Sequence, residues 1–91
     1  MKGEHYLYAH YAADCEETIF YVGVGTRDRA WSKSGRCQEW HEFVRQHGLR
    51  VVLWSCNMTK GDALALESHI VPMLIGAGIN LVNIHKRRSK K

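Results

Sequence analysis

The sequence predicts an α+β domain: a three-stranded, mostly antiparallel β-sheet flanked by α-helices. Three observations lead there. Residues 5–12 and 19–25 are rich in aromatic and β-branched side chains and are joined by a polar link, as in a β-hairpin. A third apolar run, RVVLWSC, occupies 50–56. Helical spacing of apolar residues marks the stretches before and after it.

In the first strand Tyr6, Tyr8 and His10 share one side, with Leu7, Ala9 and Tyr11 on the other. In the second, Tyr21, Gly23 and Gly25 oppose Phe20, Val22 and Val24. The aliphatic sets make the better core, which leaves Tyr6, Tyr8, Tyr21 and the glycine backbone on a partly open face. The link AADCEET is a hairpin loop. Over 36–47, Trp40, Phe43 and Val44 fall at i, i+3 and i+4, and Gly48 stands where a helix-ending glycine belongs. The nearly continuous apolar run at 50–56 suggests the middle of the sheet. A second helix starts at Thr59 as N-cap with Asp62 three residues later, and runs through DALALESHIV to Pro72, which should end or kink it before MLIGAG. The segment INLVNIH closes the domain as a short extended piece.

Ninety-one residues make one small domain, read as 1–85 with a basic tail at 86–91. The formal charge of +4 depends on that tail. Five of the 13 Lys and Arg are Lys86, Arg87, Arg88, Lys90 and Lys91, so 1–85 carries eight basic against nine acidic groups. A tail of this kind binds phosphates through counterion release or is simply solvated. No apolar run is long enough to span a membrane. The opening MKGEHYLYAHYA interrupts any signal core with polar residues, so cytoplasmic residence is the expectation. Cys15, Cys37 and Cys56 are odd in number and far apart, and no two of the six histidines stand four residues apart. Neither a disulfide framework nor a zinc site is indicated.

Two features carry chemistry. On the second helix Glu67 has Ala63, Leu64, Ile70 and Val71 as its neighbours one turn away, so a carboxylate projects from an apolar stripe. It requires a partner: an ion pair to Arg27 or Arg29, a metal, or a different helix assignment. In FYVGVGTRDRA, residues 20–30, a strand ends in two glycines and runs into Arg27 and Arg29, with Lys33 and Arg36 following. Bare backbone beside four cations is a plausible phosphate-binding corner.

Taken in order, Y-L-Y on the first strand, F-Y-V-G-x-G on the second, R-A shortly after, W-H on a helix, A-L-x-L-E on a later helix and L-V-N near the end resemble the GIY-YIG nuclease superfamily. The chain is most similar to the branch, found in many phage and bacterial members, whose second motif reads F-Y-V-G-K-G. The resemblance spans Tyr6 to Asn83. It implies that Tyr8 and Tyr21 are the motif tyrosines, Gly23 the motif glycine, Arg29 the catalytic arginine, Glu67 the metal-binding glutamate and Asn83 the asparagine near the domain end. Arg36 and Trp40 fit an R-x-x-x-W pattern, read as a phosphate contact and a core anchor. Val24 stands where many members have lysine, and Lys33 where many have histidine; His41 could supply an imidazole instead.

The activity implied is metal-dependent hydrolysis of DNA phosphodiester bonds. One Mg²⁺ or Mn²⁺ would be held by Glu67, Arg29 would stabilise the transition state, and Tyr8 would act as base with Tyr21 positioning water or phosphate. Gly23, Gly25, Arg27, Lys33, Arg36, His41 and Asn83 would line the substrate side. A non-catalytic DNA- or RNA-binding module and a structural domain with a salt-bridged Glu67 are the rival readings. RNA is a further substrate, and a homodimer is one route to double-strand cutting.

Overall fold

The computed structural model describes residues 3–82. Strands β1 (His5–Tyr11), β2 (Ile19–Gly25) and β3 (Arg50–Met58) form one antiparallel sheet in the order β2-β1-β3. A short 3₁₀ turn, Arg29–Trp31, follows β2; helix α1 (Gln38–His47) precedes β3, and α2 (Lys60–Gly76) follows it. The expected α+β class is the one observed.

The central strand is β1, not the apolar third run. All five inner residues of β1 are buried because both of its faces are covered. Leu7 and Ala9 join Val22, Val71 and Leu81 in a core under α2. The other face, expected to be partly open, is closed: Tyr6 packs with Tyr8 and Ala30, and His10 is fully buried. Strand β3 is an edge strand whose apolar residues are shared between faces, Val51 with the tyrosines and Trp54 with the α2 core, while Leu53 is exposed.

Phe20 also departs from the expected face. The pairing His10 with Tyr21 and Tyr11 with Ile19 skips Phe20, a bulge that breaks the alternation. Its ring consequently joins Trp40 and Val82 and stacks on Phe43 at 4.1 Å.

Helix α1 begins two residues later than expected, with Cys37 extended at the N-cap, and ends at Gly48, whose φ of 81° is in the left-handed region that glycine tolerates. The Thr59 cap forms as expected, its hydroxyl accepting from the Asp62 amide at 3.1 Å. Pro72 does not end α2, which continues to Gly76. Pro72 and Ser68, whose carbonyl loses its amide partner, are both exposed, so water can take that bond while Val71 and Leu74 hold the helix on the sheet. Residues 79–81 add no strand, although Leu81 and Val82 are buried. Asn83 and the basic tail lie outside the described residues.

Candidate functional site

The Tyr8 side chain lies across the glycines of β2. A Cβ placed on Gly23 would stand 2.7 Å from the Tyr8 hydroxyl oxygen and 2.9 Å from a Tyr21 ring carbon. A Cβ on Gly25 would meet the Arg29 stem at 2.6 Å. The bare backbone is therefore not room for a substrate, as the sequence suggested; it is filled by the protein's own Tyr8, Tyr21 and Arg29. Gly23→Ala is expected to cost about 1–3 kcal/mol through overpacking. Tyr8 is buried and held, so it cannot swing aside cheaply. A urea midpoint equal to that of the wild type would show the contact to be soft.

Arg36 is the centre of this cluster. Its Nε donates to the Ser32 carbonyl at 3.0 Å, one terminal nitrogen to the Tyr8 hydroxyl at 2.8 Å and the other to the Arg29 carbonyl at 2.7 Å. The guanidinium carbon also lies 5.2–5.6 Å from the ring centres of Tyr8, Tyr21 and Trp40. Expected as a phosphate contact within a helix, Arg36 instead precedes α1 and turns inward, with three of its five N–H donors engaged by the loop and by Tyr8.

Tyr21 lies beside Tyr8, ring centres 6.0 Å apart, and is hydrogen-bonded to it. Burial first, then the neighbouring Tyr8, pushes the Tyr21 phenol up to about 12, against the opposing pull of Arg36 and Arg29. Tyr21 keeps its proton at neutral pH. Arg29 reaches from the 3₁₀ turn over Gly25, half-buried, and one of its nitrogens donates to the Ser34 carbonyl at 2.8 Å. Tyr6 ties the same turn down: its hydroxyl donates to the Arg27 carbonyl at 2.7 Å and accepts from the Ala30 amide at 3.0 Å. Arg27 is exposed and holds a φ of 53°, an uncommon conformation for a residue with a side chain. Lys33 is exposed on the following loop, and His41 is exposed on α1 with its ring edge-on to Trp40.

His10, read only as a strand residue, supports the cluster from beneath. Its Nδ1 accepts from the Trp40 indole at 2.9 Å and its Nε2 donates to the Ala30 carbonyl at 2.7 Å. That pairing requires the neutral ring. Burial above all, with added repulsion from Arg36 and Arg29, lowers its pKa from 6.5 to about 4, despite the opposing Ala30 bond. Between those values the unfolded chain binds a proton that the folded chain refuses, so stability rises with pH through this window. It should be fully present above pH 6.5, with about 3 kcal/mol lost on acidification to pH 4. Denaturant titrations at pH 7.5, 5.5 and 4.5 check this, and His10→Gln should flatten the trend.

Glu67 comes to the sheet from the other side. It is half-buried on α2 between Ala63 and Val71, on a helix whose Leu66, Ile70, Val71 and Leu74 pack the Leu7–Ala9–Val22 face. Val24 packs against that same core. The structure thus gathers Tyr8, Tyr21, Gly23, Gly25, Arg29 and Arg36 over one face, while Glu67 belongs to the layer on the opposite face. Among the described residues no three or more His, Cys, Asp or Glu side chains gather in a group able to hold a metal.

No protein-family model, no curated protein and no solved structure matches the chain. No described helix is long and apolar enough to cross a membrane.

Proposed function

We propose that this chain is a metal-dependent endonuclease of the GIY-YIG type that hydrolyses DNA phosphodiester bonds, nicking or cutting with little sequence specificity. The observation that supports it most is the Arg36–Tyr8–Tyr21 cluster seated on Gly23, with Arg29 packed on Gly25. In this reading Tyr8 is the general base and acts as its phenolate: the Arg36 N–H supports that form, and the proton taken from water returns it to the phenol. Tyr21 keeps its proton and orients the water or a phosphate oxygen. Arg29 neutralises charge growing on the phosphorus centre, the type of preorganised electrostatics that dominates such reactions.

Glu67 would be the carboxylate that holds Mg²⁺ or Mn²⁺, an ion that keeps several waters and so needs few protein ligands. When bound there, the ion supplies Lewis-acid stabilisation of the departing 3′ oxygen. Glu67 stands on α2, which packs the face of the sheet opposite the tyrosines, so the proposal requires the substrate phosphate to be reached from both layers. So small a domain offers little surface for reading bases, which favours relaxed specificity. Cutting both strands then requires a transient homodimer or sequential nicks. We place the reaction in the cytoplasm.

Supercoiled plasmid incubated with and without Mg²⁺ or Mn²⁺ tests the proposal: the wild type should yield nicked circles only with metal. Tyr8→Phe should lower the rate by roughly 10²–10⁴-fold, the usual worth of a general base. Near wild-type cleavage by that variant would move the base to His41 or solvent. Salt-sensitive binding with intact plasmid and intact RNA under both metals would leave the non-catalytic nucleic-acid-binding module.

A further inference from the structure

We propose that Trp31 is a stacking platform for an unpaired nucleobase, so that the preferred substrate carries a single-stranded or flipped-out nucleotide beside the phosphate to be cut. The inference rests on the reading of this site as a nucleic-acid site and adds the form of the substrate. Trp31 is 53% exposed although it belongs to the same 3₁₀ turn as Arg29. A large aromatic left in water at that position costs solvation unless something covers it.

The indole is also held in place. It stands edge-on to the buried Tyr6 ring at 6.4 Å and 69°, and the Trp31 backbone amide donates to the Asp28 carbonyl at 3.0 Å. The Tyr6 hydroxyl pins the residues on its N-terminal side through Arg27 and Ala30. A platform fixed in this way loses little entropy when a base lands on it.

Its surroundings select the ligand. Arg27 and Lys33 are exposed cations four residues before and two after it, with the exposed Asp28 as the one acidic residue of this stretch, and the Ser32 and Ser34 hydroxyls are bonded to each other at 3.0 Å. A ring with exposed cations on either side of it in the chain suits a base with its flanking phosphates, because stacking reads any base face while the cations follow the backbone. An apolar protein partner would select fewer charges around its anchor. In a fully paired duplex the base faces are covered by their neighbours, so the indole has access only to an unpaired nucleotide.

The test measures binding by fluorescence anisotropy in EDTA, on a blunt DNA hairpin and on the same hairpin with a single-stranded overhang. RNA versions of both separate the two sugar backbones. Trp31→Ala should weaken overhang binding about tenfold or more, within the range known for base–aromatic stacking. Blunt-hairpin binding should change less than about twofold. Trp31→Phe should restore most of the loss and Trp31→Leu should not. Equal losses on both hairpins, rescue by leucine as good as by phenylalanine, unchanged affinity in Trp31→Ala, or no binding by the wild type would each overturn the platform. Plasmid nicking that survives with overhang binding unaffected by Trp31 would sink this inference alone. Trp31-dependent overhang binding without metal-dependent nicking would sink the nuclease reading and leave the platform standing.

Discussion

Glu67→Ala and Arg29→Ala are each expected to reduce metal-dependent plasmid nicking by at least about 10²-fold, the scale on which a preorganised charge acts in a transition state. The two losses should differ in character. Glu67→Ala removes the proposed ion ligand, so raising Mg²⁺ or Mn²⁺ should recover part of the rate. Arg29→Ala should show no such recovery. Arg29 also has a structural share, since its stem covers Gly25 and its guanidinium holds the Ser34 carbonyl. Arg29→Lys therefore belongs beside it: lysine keeps the stem and the charge but not the planar fork. Glu67→Gln serves the same purpose for the carboxylate, keeping shape while removing charge. Nicking at wild-type rate by Glu67→Gln would exclude Glu67 from the chemistry.

Arg36→Met should be the most damaging of the loop substitutions to stability, by about 3 kcal/mol: three hydrogen bonds to a charged group, each worth about 1.5–3 kcal/mol, are lost, and water offsets part of that sum because Arg36 is only half-buried. The Ser32 and Arg29 carbonyls would be left to water, and three aromatic rings would lose the cation that lies over them. In a domain of this size the melting temperature should fall by roughly 10–20 °C. Nicking should fall with it, because the Tyr8 hydroxyl loses its fixed donor. Arg36→Lys should recover only part of either loss. If Arg36→Met melted within a few degrees of the wild type, the inward clamp would carry little of the fold's stability.

The expected elements are nearly all present, because local signals define them: hairpin composition, the i, i+3, i+4 set of α1, and the Thr59 cap. What escaped the sequence is non-local. The β1 face that carries His10 and the tyrosines looked partly open, yet their polar atoms are satisfied by Ala30, Trp40 and Arg36, twenty to thirty residues away. Once those partners are in place, the polar face is as buried as the aliphatic one and β1 becomes central. Phe20 changed faces through a bulge that no composition signal marks. In the candidate site, the charges of Arg29 and Arg36 were legible, but the inward direction of Arg36 was not. Glu67 does stand among packed Ala63, Ile70 and Val71, but Leu64, expected in the same stripe, is exposed and Leu66 packs instead. Which face of the sheet that stripe covers depends on how α2 packs, which helical periodicity does not encode.

The central position of β1 also has a consequence for how the chain folds. Its pairing with β2 closes over a seven-residue loop, whereas its pairing with β3 joins Tyr11 to Arg50 and must gather the whole intervening stretch. Loop entropy makes the first pairing the easier one and the second the slower, higher-contact-order step. Tyr8, Tyr21, Arg29 and Arg36 all lie on the early side of that division, within one continuous segment. Glu67 lies beyond β3 in the chain and meets β1 and β2 only through α2, so the two halves of the proposed chemistry are joined by long-range contacts alone.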